Sequence, residues 1–210
     1  MRSIKIITAL VLGWVLLTPV ATKAQSDRLT LNLNYNVGIP TGNFKSDVVN
    51  DVSARGWTAN LMYGINQKFS VGFGTGFQDF YQKYPRAVYK LNDGGDISAV
   101  LSNSIQTIPL LAVAQYNFAA GKTIQPYVGV GAGGNVVMYK QYLGEFTNVS
   151  RNKFSFAVRP EVGVFIPFRK DNPAAGINVN GAYNYMPYNT DGLENINHIG
   201  VGVGVRFPLR

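Results

Sequence analysis

The stretch NHIGVGVGVRFPL (residues 197–209) alternates almost without interruption between two kinds of side chain. The large apolar set is Ile199, Val201, Val203, Val205, Phe207 and Leu209. The small or polar set is His198, Gly200, Gly202, Gly204, Arg206 and Pro208. Because successive side chains of a β-strand point to opposite faces, this stretch predicts a strand with one apolar face and one small or polar face. Such a strand is the unit of a membrane-spanning β-barrel.

The same alternation recurs earlier in the chain and predicts eight strands in all. Their predicted ranges are about 29–37, 56–65, 69–78, 106–118, 123–134, 153–166, 175–185 and 197–209. Long connections, including a segment over 79–104 and a medium loop over 138–152, alternate with short turns, as in an antiparallel meander. Strands of about 10 residues cross a bilayer at a steep tilt. The predicted fold is all-β, an eight-stranded antiparallel up-and-down transmembrane β-barrel.

Residues 1–24 are predicted to be a cleavable secretory signal peptide. Arg2 and Lys5 precede an apolar run over 6–17, and small residues then lead to Ala24. A positive segment, an apolar segment and a small-residue cleavage site in this order are typical of export signals. The apolar run is too short for a membrane-spanning helix. We therefore expect cleavage after Ala24 and one outer-membrane barrel domain over 25–210.

Composition narrows the classes of protein further. Charged residues make up 14% of the chain, against about 25% in soluble domains. Removal of the signal would lower the formal net charge from +8 to +5, because Arg2, Lys5 and Lys23 leave with it. An exported chain without a basic cluster is not expected to bind nucleic acid. The chain has no cysteine, which excludes disulfides, thiol catalysis and thiolate metal sites.

The apolar faces are predicted to contact lipid rather than to line the bore. An eight-stranded bore is only just filled by side chains of ordinary size, so the bulky residues of eight strands would overfill it. The opposite faces consist mostly of Gly, Asn, Ser and Ala, with few of the Lys and Glu residues of a water-facing wall. The barrel must also close, because an open edge in hydrocarbon leaves backbone groups unpaired.

Three segments carry a resemblance to a known family: residues 40–44 (PTGNF), 108–111 (IPLL) and 127–133 (YVGVGAG). Together with the signal they resemble the outer-membrane β-barrel family of Bacteroidetes, often called PorT-like, whose members are relatives of the OmpA-type transmembrane barrel. The likeness covers the whole mature chain. It implies an eight-stranded barrel in the bacterial outer membrane and implies no particular reaction.

Four polar residues are predicted to point into the bore by parity: Arg159, Glu161, His198 and Arg206. Arg159 and Glu161 are two residues apart and therefore lie side by side. Because buried charges need partners, one interpretation is a salt-bridge and hydrogen-bond network that fills the lumen. The alternative is a polar path or a small binding cavity, for which the many inward glycines would leave room.

Catalytic, cofactor and metal signals are weak. A hydrolase would need His198, the sole histidine, to meet a serine and an acid, yet the inward serines Ser70 and Ser155 are distant in sequence. The GxGxxG spelling of residues 129–134 lies in a strand pattern rather than before a helix, so it does not predict a dinucleotide site. Residues 92–96 lack the spacing and closing Glu of a calcium loop. No catalytic residue, cofactor or metal is predicted.

The 79–104 segment provides a second candidate site. It carries the aromatic and basic residues Tyr81, Lys83, Tyr84, Arg86 and Lys90. Aromatic rings suit the membrane interface, and basic side chains there can pair with lipopolysaccharide phosphates. The alternative is a pair of strands that extend beyond the membrane and end in an ordinary polar tip.

The sequence thus predicts a non-enzymatic, integral outer-membrane barrel with a structural or envelope-interaction role. Its long loops are expected outside the cell and its short turns in the periplasm. Expected partners are outer-membrane lipid and lipopolysaccharide, together with an envelope protein docked through the loops. Small-molecule binding or a narrow pore is the alternative, and an outer-membrane lipid-modifying hydrolase is a distant third.

Overall fold

The computed structural model describes residues 29–90, 95–144, 146–169, 175–190 and 193–209. The predicted signal peptide lies outside these ranges, as does most of the 92–96 segment. The elements in chain order are β1 (Leu29–Pro40), α1 (Asn43–Asp47), β2 (Ser53–Gly64), β3 (Phe69–Lys90), β4 (Asp96–Asn117), β5 (Gln125–Leu143), β6 (Phe146–Pro167), β7 (Gly176–Asn184), β8 (Asn189–Thr190), β9 (Leu193–Glu194) and β10 (His198–Pro208). Within the described ranges no helix is long and apolar enough to cross a membrane.

Eight of the strands close into one antiparallel barrel in the order β1-β10-β7-β6-β5-β4-β3-β2. β8 and β9 form a separate two-stranded sheet in the connection before β10. The strands of the barrel are staggered. A path from Phe154 in β6 that follows paired residues through each of the other barrel strands returns to β6 at Val164, ten residues further along. Such a stagger tilts the strands by about 35–45° from the barrel axis. The predicted fold is confirmed.

The two faces of the barrel wall are also as predicted. Large apolar side chains are exposed on the outside, among them Leu33, Trp57, Phe73, Leu110, Val130, Val162, Val179, Val201 and Val203. Buried polar side chains line the inside, among them Asn32, Asn34, Asn36, Asn60, Arg159, Asn178 and Asn180. Aromatic residues border the apolar band at both ends, with Tyr63 and Tyr116 at one end and Trp57 and Tyr183 toward the other, as in the aromatic girdles of outer-membrane barrels.

The two ends of the barrel differ. We call the end with the connections after β2, β4 and β6 the turn end, and the opposite one the loop end. At the loop end β3, β4, β5 and β6 continue well beyond the apolar band and form what we call the extended wall (residues 79–90, 96–106, 137–143 and 146–157). The extended pair of strands described as the alternative for residues 79–104 is present, its tip lies outside the described residues, and contact of its basic residues with lipopolysaccharide stays a prediction.

The loop predicted over 138–152 is wrong, because β5 and β6 pair almost continuously through it. The outer face of this hairpin carries polar residues such as Lys140 and Ser150, which are exposed. A strand outside the bilayer faces water on its outer side, so it loses the apolar alternation that marks a membrane strand. The pattern therefore identified only the membrane-spanning parts of these strands.

A buried apolar cluster fills the loop end of the barrel. We call it the apolar plug: Phe44, Val49, Phe80, Ile105, Leu111, Val137, Tyr139, Ala157, Met186, Tyr188 and Ile196. Phe44 and Val49 come from the connection between β1 and β2, and Met186, Tyr188 and Ile196 come from the connection between β7 and β10. The inner face of the barrel is thus not small and polar throughout, because two connections fold over the loop end and bury apolar side chains there.

Candidate functional site

Arg159 and Glu161 form the centre of the polar interior. Arg159 Nε lies 3.7 Å from Glu161 Oε2, and both side chains are nearly buried. The Tyr127 hydroxyl donates to Glu161 Oε1 at 2.7 Å. Across the bore, Arg159 Nη2 donates to Asn60 Oδ1 at 3.0 Å. The predicted pair therefore exists, and Tyr127 and Asn60 complete it by supplying the further hydrogen bonds that a buried ion pair needs.

Arg206 belongs to a different part of the bore. Its Nε donates to Asn32 Oδ1 at 2.8 Å, and its guanidinium carbon lies 4.1 Å from the centre of the Phe165 ring. Among the described residues it forms no ion pair with a carboxylate. A guanidinium over an aromatic face is stabilised by the ring's quadrupole, which replaces part of the lost hydration. Arg206 is thus held near the turn end by an amide and a ring.

His198 lies at the other end of the same strand. Eight residues separate it from Arg206, or about 26 Å along a strand. Its Nδ1 is 3.2 Å from the Ile196 carbonyl oxygen, and its ring packs edge-on against Phe80 at 5.0 Å. No hydrogen bond joins it to a serine in the described part of the chain. The four residues predicted as one network therefore occupy three places, with His198 against the apolar plug.

Asparagine side chains supply most of the remaining interior contacts. Asn178 Nδ2 donates to Asn34 Oδ1 at 3.1 Å. Asn34 and Asn36 both donate to the Thr58 hydroxyl, at 3.3 and 3.0 Å. Parity in the sequence places these residues inside, but it does not reveal which strands meet across the bore. Together with the two arginines and Glu161 they form what we call the polar network.

The inward glycines do not leave the bore empty. A Cβ atom at Gly202 would lie 2.2 Å from Asn36 Oδ1 and 2.3 Å from Asn180 Oδ1. One at Gly163 would lie 2.5 Å from the Tyr127 ring. The space beside each of these glycines is therefore occupied by a long side chain from a neighbouring strand, so these glycines permit the polar network rather than a channel.

One small cavity remains between the polar network and the apolar plug. Its volume is about 30 Å³, and its lining includes Thr107, Arg159, Glu161, Asn180, Met186 and His198. That volume corresponds to about two water molecules. The lining can therefore bind water, whereas a sugar, nucleotide or lipid does not fit. In the described ranges no three His, Cys, Asp or Glu side chains gather as a metal site would require.

The candidate interface residues of the extended wall divide between its two faces. Tyr81, Lys83, Arg86 and Lys90 are exposed, and Lys83 and Arg86 pair in register with Ser102 and Val100 of β4. Next to Tyr81, Arg55 lies over its ring at 5.7 Å and contacts Asp79 at 3.4 Å. These four predicted residues are thus available to a partner outside the barrel.

Tyr84 differs from the other four, because a β-bulge between Lys83 and Arg86 changes the register there. Its hydroxyl donates to the Val48 carbonyl at 2.8 Å. Burial raises the pKa of the Tyr84 hydroxyl above its ordinary value, and nearby Tyr89 raises it further, so the donor keeps its proton. Tyr84 therefore fastens the β1–β2 connection to β3.

A comparison of the sequence with protein-family profiles identifies the family of this barrel. Residues 9–207 match the profile of the family described as "Outer membrane protein beta-barrel domain". The chain belongs to this family. Its members are barrels of the bacterial outer membrane, so this outer-membrane barrel spans that membrane with the eight strands described above. A comparison with curated proteins finds no match.

Solved structures show the same fold at low sequence identity. OprG of Pseudomonas aeruginosa is 13% identical with a TM-score of 0.51, covering 89% of this chain and 97% of that one. Neisserial surface protein A is 14% identical with a TM-score of 0.50, covering 86% and 96%. The outer membrane protease OmpT of Escherichia coli is 6% identical with a TM-score of 0.47, covering 91% and 100%. The likenesses to OprG and to neisserial surface protein A concern the fold alone.

Proposed function

We propose that this outer-membrane barrel is closed to solutes, has no enzymatic activity and presents its extended wall to another component of the cell envelope. In this proposal the loop end faces outward and the turn end faces the periplasm. The observation that carries it is the interior described above, in which side chains of the polar network and the apolar plug meet at a cavity of about 30 Å³. The contact of His198 with a backbone carbonyl instead of a serine supports the absence of hydrolase chemistry.

The extended wall supports the role in interaction. β3 and β4 have 22 residues each, about twice the length that crosses a bilayer. A barrel that served only to span the membrane would not need strands beyond the apolar band. We also assign the chain to the PorT-like branch found in Bacteroidetes, on the resemblance of residues 40–44, 108–111 and 127–133.

Lipopolysaccharide is the first partner that we propose for the wall. Lys83, Arg86 and Lys90 are exposed beyond the apolar band, and Tyr81 lies between them and the bilayer. Charge-assisted hydrogen bonds to phosphate are stronger than neutral ones. Adding purified lipopolysaccharide to the protein in nanodiscs should raise its melting temperature, and a Lys83→Ala, Arg86→Ala, Lys90→Ala variant should lose most of that rise.

Planar bilayers test the closed barrel. The purified mature chain should insert without producing stepwise currents. Its folded state is verified by a heat-dependent gel shift, so that silence is not mistaken for failed insertion. Persistent unitary currents from the folded wild-type protein would contradict the proposal and favour the narrow pore.

Crosslinking in intact cells tests the presentation of the wall. A photoreactive residue at Lys83 should give a repeated, discrete product with one envelope component. The matched control is a photoreactive residue at Val201, which is half-exposed on the lipid-facing side of β10 and should give lipid adducts only. Identical product patterns from both positions would remove the interaction role.

A further inference from the structure

One edge of the extended wall has no partner strand among the described residues. β6 pairs with β7 from Pro167 to Glu161, and a single isolated bridge joins Val158 to Tyr185. Beyond that bridge β6 continues to Phe146 with β5 on one side. No strand of the described chain pairs with the other side of residues 146–157.

The backbone groups on this open edge can be identified. Val158 donates its N–H to Tyr185 at 2.9 Å and accepts from the Tyr185 N–H at 2.8 Å, so Val158 directs both groups away from β5. In an antiparallel strand every second residue directs its N–H and C=O to the same side. Phe156, Phe154 and Asn152 therefore direct theirs to the open side, where no described residue bonds them.

At the opposite edge of the wall, on β3, two side chains hold the β1–β2 connection. The side-chain oxygen Oε1 of Gln82 accepts hydrogen bonds from the backbone N–H groups of Asn50 at 3.0 Å and Asp51 at 3.3 Å. Tyr84 adds its bond to Val48. Natural proteins usually cover or charge exposed sheet edges, because such edges recruit other strands. At β6, Lys153 likewise contacts the β7–β10 connection through Asn189 and Tyr188, but the backbone groups of Asn152, Phe154 and Phe156 have no bonding partner among the described residues.

A cleft of about 470 Å³ adjoins the β6 edge. Its lining includes Lys153, Phe154, Phe156, Pro187 and Tyr188. Phe154 and Phe156 are 69% and 54% exposed on the outer face. On the other face Lys153 donates to the Asn189 carbonyl at 2.8 Å and lies over the Tyr188 ring. The cleft is thus apolar on its outer side and polar on its inner side.

We propose that the edge Asn152–Phe156 of β6 and its adjoining cleft bind an extended segment of a partner protein as an additional antiparallel strand. The inference rests on the proposed function, because it assumes that the wall is presented outside the cell. Main-chain hydrogen bonds would supply the affinity, and alternate side chains would supply the specificity. The segment has apolar residues at alternate positions, which cover Phe154 and Phe156, and polar residues between them.

A second copy of this chain does not fit the same edge. Two copies inserted with the same orientation both direct β6 from the loop end to the turn end. Their β6 strands therefore cannot pair antiparallel, and the tilt of about 35–45° in each barrel makes them cross rather than align. The occupant is thus a segment free to run from the turn end toward the loop end.

Amide exchange in the purified mature chain in nanodiscs tests the proposal. The probes are nine-residue peptides that alternate Val, Leu or Phe with Thr. At saturation at least one of them should slow hydrogen exchange at the Phe154 and Phe156 amides at least tenfold. The same peptide N-methylated at the alternate residues whose N–H groups face β6 cannot donate hydrogen bonds from that edge and should have no such effect. Unchanged exchange across the panel, or equal protection by the N-methylated peptide, would overturn the proposal.

Two variants separate the backbone edge from the side chains. Phe154→Pro removes one edge N–H and spares the β5 ladder, as Pro160 on the same side already does; it should lower peptide affinity at least tenfold. Phe154→Ala keeps the N–H and should retain protection at Phe156. If Phe154→Pro does not fold, the N-methylated peptide still tests whether the backbone edge binds the peptide. If palmitate displaces the peptide, and the peptide itself leaves the Phe154 and Phe156 amides unprotected, the cleft binds an acyl chain and the proposal is overturned.

The result of the peptide experiment can be told apart from the result of the experiments that test the proposed function. Unitary currents in bilayers would contradict the proposal that the barrel is closed, but they would not affect the expected protection of the Phe154 and Phe156 amides. A partner crosslinked from Lys83 together with unprotected Phe154 and Phe156 amides would support the presentation of the wall and reject the β6 edge.

Discussion

The barrel interior is polar in its turn-end half and apolar in its loop-end half. In the first half Arg159 pairs with Glu161 on its own strand and donates to Asn60 across the bore, and Asn178 donates to Asn34. In the second half Phe44 and Phe80 stack edge-on at 5.1 Å within the apolar plug. Strands alone build the polar half, whereas connections folded over the strands complete the apolar half. The comparison shows that one strand meets two environments along its length, lipid in its membrane-spanning part and water beyond it.

The apolar face of the strands changes sides where they leave the bilayer. In β3, Phe73 lies outside and is 74% exposed, whereas Phe80 lies inside and is fully buried. In β5, Val130 lies outside and Val137 inside. Within the bilayer the outer face meets lipid, and beyond it the outer face meets water, so the apolar side chains move to the inner face. On β3 and β5 this change of the apolar face marks the rim of the membrane, whereas the outer face of β6 stays apolar at Phe154 and Phe156.

The largest predicted effect removes the centre of the apolar plug. Phe80→Ala should destabilise the barrel by about 4 kcal/mol, because it opens a cavity among Phe44, His198 and their neighbours. Urea unfolding in lipid vesicles measures it. The matched control is Phe73→Ala, whose ring contacts lipid and whose loss should cost less than half as much. Equal losses at both positions would refute the contrast between the two faces.

The polar half should respond to loss of its carboxylate. Glu161→Ala is expected to cost about 3 kcal/mol, because it leaves Arg159 buried without its counter-charge and Tyr127 without an acceptor. The double variant Arg159→Met, Glu161→Ala should recover part of the loss in the same unfolding assay. A double variant less stable than the sum of the single variants would contradict the pairing.

In the polar half, two glycines differ in the room that an added Cβ atom would have. Gly204→Ala places a Cβ atom 1.9 Å from the Leu33 carbonyl oxygen and should cost about 2 kcal/mol. Gly129→Ala meets its nearest atom, the Ala114 carbonyl oxygen, at an ordinary 3.4 Å and should be tolerated. Unfolding midpoints that fall in the opposite order would argue against the filled bore.

The smallest stability effect concerns the connection that closes the loop end. Tyr84→Phe removes one hydrogen bond to Val48 and should cost about 1 kcal/mol. Limited proteolysis should then cut the segment over 41–52 faster, while cleavage of the β5–β6 hairpin stays unchanged. Unaltered cleavage of 41–52 would show that other contacts hold that connection.

Much of the membrane-spanning part could be predicted from sequence. Period-two alternation gave the faces of β1 and β10, and the two-residue spacing of Arg159 and Glu161 gave their contact. The bond between Arg159 and Asn60 was not predictable, because it joins strands 99 residues apart and depends on the stagger of the barrel. The same holds for the contact of Arg206 with Phe165, because β6 carries Phe165 and is separated from β10 by β7.

The extended wall was predicted only in part, as the alternative for residues 79–104, because its apolar residues lie on the inner face instead of the outer one. In the wall Phe80, Ile105 and Val137 point inward, whereas a membrane-spanning strand is recognised by apolar residues on its outer face. A search for a parity change after each membrane strand would have found β3, β4 and β5 in full. The plug residues from the connections, such as Met186 and Ile196, carry no periodic signal, since they lie in irregular backbone.

Arg206 has a consequence for ion selectivity. Arg159 is offset by Glu161, but Arg206 rests on an amide and a ring. These three groups therefore give the bore one positive charge in excess, and a low-dielectric wall strengthens its field. Should a plug variant such as Phe80→Ala leak, its current should favour chloride over potassium, which the reversal potential in a salt gradient measures, and Arg206→Gln should weaken that preference.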